Sequence, residues 1–206
     1  MAAKQTSDVR AQTLDVATEL FARNGYDATS LSAIAQLVGV RKPSLLYHFP
    51  SKEALRQAVL ARVLSHWSEV LPEILAQATT GGRRFRALAD AVCQFFVDDP
   101  NRARLLLREM LDRPEEMKLL LSEYVSPWVG VLQDYILDGQ RAGTVWPDLD
   151  PHAYLLHVIH NMVAGIATAD VFTSLYTSNT SARARMDRHV AELLRMAHAG
   201  LFLPHT

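Results

Sequence analysis

Residues 29–53 constrain the fold of this chain more than any other segment, because they encode two short helices joined by a glycine. Thr29 or Ser30 can cap the first helix of this pair, since a side-chain oxygen there accepts a hydrogen bond from a free backbone N–H. Gly39 makes the turn, and the next helix begins near Lys42. A helix-turn-helix of this kind can place its second helix in the major groove of DNA.

The second helix of this pair spans residues 42–48 and is short because prolines bound it. Pro43 lies in the first turn, where its missing N–H costs nothing, and Pro50 stops the helix. Ser51 then caps a further helix, whose first turn contains Glu53. A carboxylate at that position interacts favourably with the helix dipole.

The polar side chains on this second helix and its flanks are candidates for DNA contacts, because its apolar side chains can face inward. Arg41 is suited to pairing with O6 and N7 of guanine, a contact worth about 1–3 kcal/mol of base discrimination. Other side chains suit phosphates, which set the register of the protein on DNA. The predicted DNA-binding residues are Thr29, Arg41, Lys42, Ser44, Tyr47, His48 and Lys52.

Helical periodicity continues through the rest of the chain and predicts an all-α protein of about nine helices. The first helix should span about residues 7–24, and the last two about 151–175 and 181–201. Strand-like alternation bounded by hairpin turns is missing. We therefore expect an N-terminal three-helix helix-turn-helix DNA-binding domain at 1–52 and a C-terminal helical ligand-binding and dimerisation domain at 53–206.

Composition excludes several classes of protein. The chain has 206 residues, 49% of them apolar, and a net charge of −1, so it is not a generic polyanion binder. Cys93 is the only cysteine, which rules out an intramolecular disulfide and fits a reducing cytoplasm. The sequence lacks both a signal-peptide core and a run of about 18 apolar residues. We therefore expect a cytoplasmic protein without a membrane span.

Several positions between residues 7 and 60 have a specific order and spacing. They are Thr29-Ser30-Leu31, Ile34-Ala35, Gly39-Val40, Leu45, His48-Phe49 and Ser51-Lys52-Glu53-Ala54-Leu55. This pattern resembles the signature of TetR-family transcriptional regulators. The resemblance implies a bacterial all-α homodimer that binds an operator through its N-terminal unit. It also implies release from DNA when a small molecule enters the C-terminal domain.

Two positions depart from the family pattern. The family often has Ser or Thr at the position of Arg41, where that residue caps the helix and contacts a phosphate. Arg41 cannot cap, so its role shifts toward phosphate or base binding. The family often has Tyr at the position of Leu46, whereas this chain has Tyr47 one residue later, which puts the phosphate role of that tyrosine in doubt.

A ligand pocket between the C-terminal helices should be mostly apolar with a few polar anchors. The candidate ligand-binding residues are Phe95, Phe96, Met110, Tyr124, Trp128, His160, Met162 and Phe172. For any one of these residues, ordinary core packing is the alternative.

The histidines and carboxylates do not indicate catalysis or metal binding. His157 and His160 share a helix face, with His152 one turn earlier, but no Cys or acidic partner is placed close by. Asp98-Asp99 and Glu115-Glu116 fit favourable charges at helix starts. No nucleophile elbow, P-loop or dinucleotide glycine motif is present. We therefore expect no metal, no cofactor and no enzymatic activity.

The last two helices carry more apolar surface than one small domain needs, and Gly165 permits close helix approach. The apolar residues are Leu156, Ile159, Val163, Ile166, Val190, Leu193, Leu194, Ala197 and Leu201. They predict a two-fold four-helix interface in a homodimer, as a palindromic operator requires.

The favoured hypothesis is a repressor that an unknown small-molecule effector releases from double-stranded operator DNA. An activator or a ligand-independent regulator remains an alternative. A further alternative is a helical small-molecule carrier or enzyme that contains the helix-turn-helix motif.

Overall fold

Ten α-helices make up most of the part of the chain that the structure describes. The structure is a computed structural model, and it describes residues 2–77, 81–173, 175 and 180–204. The helices are α1 Ala2–Asn24, α2 Leu31–Val38, α3 Lys42–His48, α4 Lys52–Gln77, α5 Gly81–Asp98, α6 Pro100–Asp112, α7 Pro114–Tyr124, α8 Ser126–Arg141, α9 Pro151–Thr173 and α10 Ala182–Leu201. Within the described ranges, β-pairing is limited to a bridge between Val145 and Phe202. The predicted all-α fold is confirmed.

Helices α1, α2 and α3 form a small bundle because each has one apolar face. Phe21 of α1, Ile34 of α2 and Leu45 of α3 are almost completely buried in the same core. Burial of a Leu, Ile or Phe side chain stabilises the fold by about 1.5–3 kcal/mol. The bundle therefore holds α3 from behind and leaves its polar face outward.

The described residues form ten helices where the sequence predicts about nine, because the segment from Pro114 to Arg141 divides into two helices. Val125 separates α7 from α8, and its N–H donates to the Leu121 carbonyl as the last bond of α7. Pro127 lies in the first turn of α8. A proline there has no N–H to donate and clashes with the preceding turn, which favours the start of a new helix at this point.

Helix α4 runs across the predicted domain boundary between residues 52 and 53. It is continuous to Gln77, so Pro72 does not end it early. Buried residues from α1 through α9 share one apolar core, which includes Leu14, Leu60 and Ile166. Because this core is continuous, the proposed division into 1–52 and 53–206 stays a prediction.

A second apolar core lies in the C-terminal half, between α5, α8, α9 and α10. Its buried members are Phe85, Ala89, Cys93, Ile136, Val145, Leu155, Met162, Leu194 and Leu201. Helix α6 packs against α9 on one side and against α1 on the other. The helix pair α1–α6 therefore joins the N-terminal bundle to the rest of the molecule.

Helix α9 is long and mostly apolar. Its segment Pro151–Phe172 is long and apolar enough to cross a membrane. About a third of the most apolar stretch of this segment is buried in the protomer. Its buried side packs into the two cores through Met162, Val163 and Ile166. We interpret α9 as a core helix with an uncovered apolar side.

Alanine substitutions at two glycines of α8 should change the free energy of unfolding in opposite directions. A Cβ on Gly139 would lie 2.5 Å from Cγ2 of the buried Val145, whereas a Cβ on Gly130 would meet no described atom within 4 Å. Gly139→Ala should lower the free energy of unfolding by about 1–3 kcal/mol through overpacking. Gly130→Ala should raise it by about 0.5–1 kcal/mol, because Ala favours a helix over Gly. Urea denaturation of both variants tests this, and equal shifts would contradict it.

Candidate nucleic-acid interface and internal cavity

The turn between α2 and α3 has the geometry that the sequence predicts. The Ser30 hydroxyl caps α2 by accepting a hydrogen bond from the Ala33 N–H at 3.1 Å. Gly39 adopts a φ of 77°, a left-handed conformation that a residue without a Cβ takes up readily. The Val40 N–H then donates to the Ala35 carbonyl at 2.9 Å. These local bonds set the angle at which α3 leaves α2.

Helix α3 presents a polar and basic face to solvent. Leu45 and the following Phe49 are buried, whereas Arg41, Lys42, Ser44 and Tyr47 are exposed, Tyr47 by 82%. His48 is half-buried, with its ring edge-on to Tyr47 at a centroid distance of 5.4 Å. A short helix with donors on one side and a packed core on the other can enter a DNA groove.

Arg41 starts α3 without capping it, as the sequence predicts. It is the N-cap residue, and its side chain makes no capping hydrogen bond. Within the described residues neither Arg41 nor Lys42 forms an ion pair with a carboxylate. The basic charge at the start of α3 is therefore directed to solvent rather than neutralised within the protein.

Two of the seven predicted DNA-binding residues, Thr29 and Lys52, make hydrogen bonds to the turn after α1. Thr29 is 3% exposed, and its hydroxyl donates to the Gly25 carbonyl at 2.8 Å. The Lys52 ammonium lies 4.1 Å from the centre of the Tyr26 ring and donates to the Asp27 carbonyl at 3.3 Å. Their side chains therefore serve the turn after α1, and we leave both out of the proposed contact set.

Arg10 is a basic residue near α3 that sequence reasoning missed. Its guanidinium lies 5.4 Å from the centre of the Phe49 ring, and the residue is exposed. Arg10 is distant from α3 in sequence, so only the packing of α1 against α3 places its charge at this surface.

A buried arginine joins the helix-turn-helix unit to the C-terminal half. Arg56 of α4 is 1% exposed and contacts three carboxylates. Its guanidinium donates to Glu53 at 2.6 and 3.1 Å, to the buried Glu109 of α6 and to Glu116 of α7. We call Arg56 and its three carboxylates the Arg56 network.

Charged groups from the turn after α1 extend this network. Arg113 lies 3.6 Å from Glu109 and 3.8 Å from Asp27, linking the α6–α7 junction to that turn. The Tyr26 ring packs against Arg113, at 4.5 Å, and against Arg56, at 5.6 Å. The turn that precedes α2 is therefore tied to α6 and α7 through charges.

Within the network, the hydrogen bonds between Arg56 and Glu53 favour the charged forms of both side chains. The hydrogen bond from Arg56 holds the pKa of Glu53 below its usual value and outweighs the opposing effect of burial. Burial disfavours the charged form of Arg56, but the hydrogen bonds to Glu53 and Glu116 and the charge of Glu109 raise its pKa overall. Burial, with the charge of Glu53, raises the pKa of Tyr26.

Helix α6 makes polar contacts with helices on both sides. Arg104 donates to the Ala167 carbonyl of α9 at 3.1 Å and pairs with Asp170 at 2.9 Å. One turn later, Arg108 donates to the Arg23 carbonyl at the end of α1 at 3.2 Å. A displacement of α9 would therefore be transmitted through α6 to α1.

An apolar cavity lies within the second core, between α5, α8, α9 and α10. Its volume is about 80 Å³, within a cleft of about 550 Å³ when the opening to solvent is counted. The lining residues are Phe85, Leu88, Ala89, Val92, Leu132, Tyr135, Ile136, Tyr154, Leu155, Val158, Ile159, Met162 and Leu201.

The structure brings Met162 to this cavity and places the other seven predicted ligand-binding residues elsewhere. Phe95 and Phe96 are buried in the first core, with Phe95 stacked on His66 at 4.2 Å. Met110 and Tyr124 pack against that core, Trp128 is half-buried, and His160 and Phe172 are exposed. The sequence could not separate these seven residues from cavity residues, because a core position and a cavity position have the same helical periodicity.

The histidines of α9 do not form a cluster. His152 shares a 2.9 Å hydrogen bond with Gln133, while His157 and His160 are exposed. No group of three potential metal ligands occurs among the described residues.

Most of the apolar residues predicted for a dimer interface are buried or half-buried within one protomer. Val163, Ile166, Leu194 and Leu201 are buried, and Leu156 is 61% exposed. The other four of the nine, Ile159, Val190, Leu193 and Ala197, are half-buried. A Cβ on Gly165 would lie 2.7 Å from His189 of α10, so Gly165 serves close packing inside the protomer. The exposed apolar residues that the prediction missed are Val171, Phe172 and Met196.

Comparisons with known proteins match both halves of the chain. Residues 14–59 match the model of bacterial regulatory proteins of the tetR family, and residues 83–196 match the model of a tetracyclin repressor-like C-terminal domain. The chain is 50% identical over 54 residues to the HTH-type transcriptional regulator RutR of Escherichia coli, a match that covers 26% of each protein. The match therefore spans about a quarter of the length of this curated relative.

Two solved structures resemble the fold over nearly the whole chain. The ketosteroid transcriptional regulator KstR2 of Mycobacterium tuberculosis has a TM-score of 0.73 at 18% identity, covering 94% of this chain and 95% of that one. The regulator FadR of Bacillus subtilis in complex with stearoyl-CoA has a TM-score of 0.72 at 18% identity, covering 92% of this chain and 98% of that one. At these identities the likeness is one of fold.

Removal of the central arginine should destabilise the protein strongly. Arg56→Met leaves Glu109 buried without its nearest partner, and loss of one member of a buried ion pair costs about 3–5 kcal/mol. Arg86→Met is the control, because it removes an exposed pair with Asp90 at 2.9 Å and should cost less than about 1 kcal/mol. Denaturant unfolding measures both, and equal stability of the two variants would count against a structural role for the network.

Proposed function

The chain belongs to the tetR family of bacterial regulatory proteins, and on this basis we propose that it is a dimeric transcriptional repressor released from its operator by an apolar effector. The observation that carries the proposal is the exposed basic face of α3, held from behind by the buried Leu45. The relatives that it matches are transcriptional regulators rather than enzymes.

DNA recognition in this proposal divides between base and phosphate contacts. Arg41, at the N-terminal end of α3, reads a guanine edge in the major groove. Lys42, Ser44, Tyr47 and His48 contact phosphates, which position α3 without reading sequence. The high exposure of Tyr47 and the lack of intramolecular ion pairs at Arg41 and Lys42, within the described residues, support this division.

The proposed dimer forms through α9 and α10. Leu156, Val171 and Phe172 on α9 and Met196 on α10 are each about 60% exposed or more, which leaves apolar surface on both helices. A second copy related by a two-fold axis would cover this surface. The same axis would place two copies of α3 on the two halves of a palindromic operator.

Release from DNA depends on coupling between the cavity and α3. Helix α9 lines the cavity and packs on α6, whose Arg104 and Arg108 bond to α9 and α1. An effector that binds better to the arrangement unable to bind DNA must weaken DNA affinity by the same factor. The Arg56 network transmits the movement because it ties α6 and α7 to the base of the helix-turn-helix.

Substitutions on α3 should separate base reading from phosphate binding. Lys42→Ala should weaken binding to promoter and random DNA alike and reduce the slope of log affinity against log salt by about one. Arg41→Ala should cost about 1–3 kcal/mol of preference for the protein's own promoter. Fluorescence anisotropy at several salt concentrations measures both quantities.

The control for both variants is Arg141→Ala on α8, which removes an equally exposed positive charge away from α3. It should leave affinity and salt slope unchanged. A wild-type protein that binds promoter and random DNA equally would refute sequence-specific regulation.

Charge placed on the exposed face of α9 should disrupt the dimer. Leu156→Arg should yield monomers in light scattering at micromolar concentration and lower operator affinity, because the two half-sites are no longer bound together. Leu119→Arg on α7 is the matched control, since Leu119 is 73% exposed but lies outside the proposed interface. A monomeric wild type would overturn the proposed interface.

A further inference from the structure

The buried face of α1 ends in a charged side chain at its N-terminal end. Leu14, Ala17 and Phe21 lie at helical spacing on this face and are almost completely buried. Arg10 lies one turn before Leu14 on the same face, but it is exposed. Because this face packs α1 against α2 and α3, Arg10 stands at the edge of the helix-turn-helix unit.

An aromatic ring at the end of α3 holds the Arg10 side chain in place. The Arg10 guanidinium lies 5.4 Å from the centre of the Phe49 ring, and a cation is attracted to an aromatic face within about 6 Å. Phe49 is the C-cap residue of α3 and is 3% exposed, so the core fixes the position of its ring. A side chain that is ordered in advance loses less entropy when it binds a partner. The charge of Arg10 is therefore held beside the C-terminal end of α3.

The charge of Arg10 is not neutralised by any carboxylate among the described residues. Two other carboxylates of α1 have different partners: Asp15 pairs with Arg62 at 2.8 Å, and Glu19 pairs with Arg23 at 2.9 Å. An exposed guanidinium without an ion pair is available to an anion outside the protein.

The basic charge of α3 itself is confined to its N-terminal end. Arg41 and Lys42 start the helix, whereas its last three residues, 46–48, include no Lys or Arg. A helix of seven residues is about 10 Å long, and the major groove is about 12 Å wide. When α3 lies in the groove, both of its ends are therefore close to the phosphates that border it. Arg10 supplies the cation that the C-terminal end of α3 lacks.

We infer that Arg10 is a further DNA contact, which binds a backbone phosphate beside the C-terminal end of α3, and that the Phe49 ring is its positioning residue. The inference rests on the proposed function, because it adds a contact to the DNA complex of that regulator. A guanidinium can donate two parallel hydrogen bonds to phosphate oxygens, and a phosphate contact carries no base preference. The alternative role of Arg10 is to cover the Phe49 ring with its aliphatic stem.

The salt dependence of DNA binding separates these two roles. Arg10→Met keeps an apolar stem over the ring and removes the charge. It should weaken binding to promoter and random DNA by the same factor, about two- to fivefold for each protomer, as for an exposed ion pair. The slope of log affinity against log salt should fall by about one for each protomer. Arg10→Lys keeps the charge and should retain the slope. Fluorescence anisotropy on the full-length protein at several salt concentrations measures these quantities.

Arg23→Met is the matched control, because it removes an arginine from the opposite end of the same helix. The Arg23 side chain is 65% exposed and pairs with Glu19. This variant should leave the affinity and the salt slope unchanged. Thermal melting of both methionine variants without DNA checks the fold, and Arg10→Met should melt at the wild-type temperature.

A double-mutant cycle tests the positioning role of Phe49. Phe49→Leu keeps an apolar side chain in the core and removes the aromatic face, and circular dichroism defines the temperature at which it is folded. At that temperature Phe49→Leu should weaken DNA binding in the wild-type background and have a smaller effect in the Arg10→Met background, because the two residues act together. Equal effects in the two backgrounds would contradict the positioning role.

Two results would overturn the phosphate contact: an unchanged salt slope in Arg10→Met, or a loss of affinity for the promoter alone. The wild type tests the regulator separately. If it prefers its promoter and the slope of Arg10→Met is unchanged, the contact is rejected and the regulator stands. If it binds promoter and random DNA equally while Arg10→Met lowers the slope, the contact stands and sequence-specific regulation is rejected. A wild type that binds no DNA rejects both.

Discussion

The buried guanidinium of Arg56 is the interaction on which the arrangement of the two halves depends. It pairs with carboxylates on α4, α6 and α7 at once, and the most buried of these, Glu109, is 3% exposed. Removing such charges from water costs several kcal/mol for each ion, and that cost is offset only while all partners stay in place. The network therefore tolerates one geometry of α4 against α6 and α7 and penalises others.

A connection of this kind suits a protein whose two ends must respond to each other. Apolar packing alone would allow α1 and α4 to slide against α6 in small steps, whereas a charge network has discrete partners. The bonds of Arg104 and Arg108 from α6 to α9 and α1 add directional contacts on the same path. Coupling between distant sites requires an element that both sites bias, and α6 is a helix that contacts both α1 and α9.

The cavity and the α3 surface illustrate opposite uses of polar groups. On α3, basic side chains stay exposed because their partner is a polyanion outside the protein. In the cavity the walls are almost entirely apolar, so an occupant is held mainly by the burial of its own apolar surface. Burial also raises the pKa of the neighbouring Cys93 to about 11, which keeps that thiol protonated and unreactive in the same core.

The sequence by itself determined the helix-turn-helix, because its signals act over a few residues. Ser30 caps α2 three residues away, Gly39 supplies a positive φ, and prolines bound α3, so no distant contact is needed to specify them.

Only the tertiary structure decided which residues meet across long stretches of chain. Arg56 lies 53 and 60 residues from Glu109 and Glu116, and four separate helices line the cavity. Thr29 and Lys52 carry the residue types of DNA contacts, and both donate to backbone carbonyls of the turn after α1. Whether an apolar or aromatic residue fills a core or borders a space depends on atoms from other helices, and that information is absent from helical periodicity.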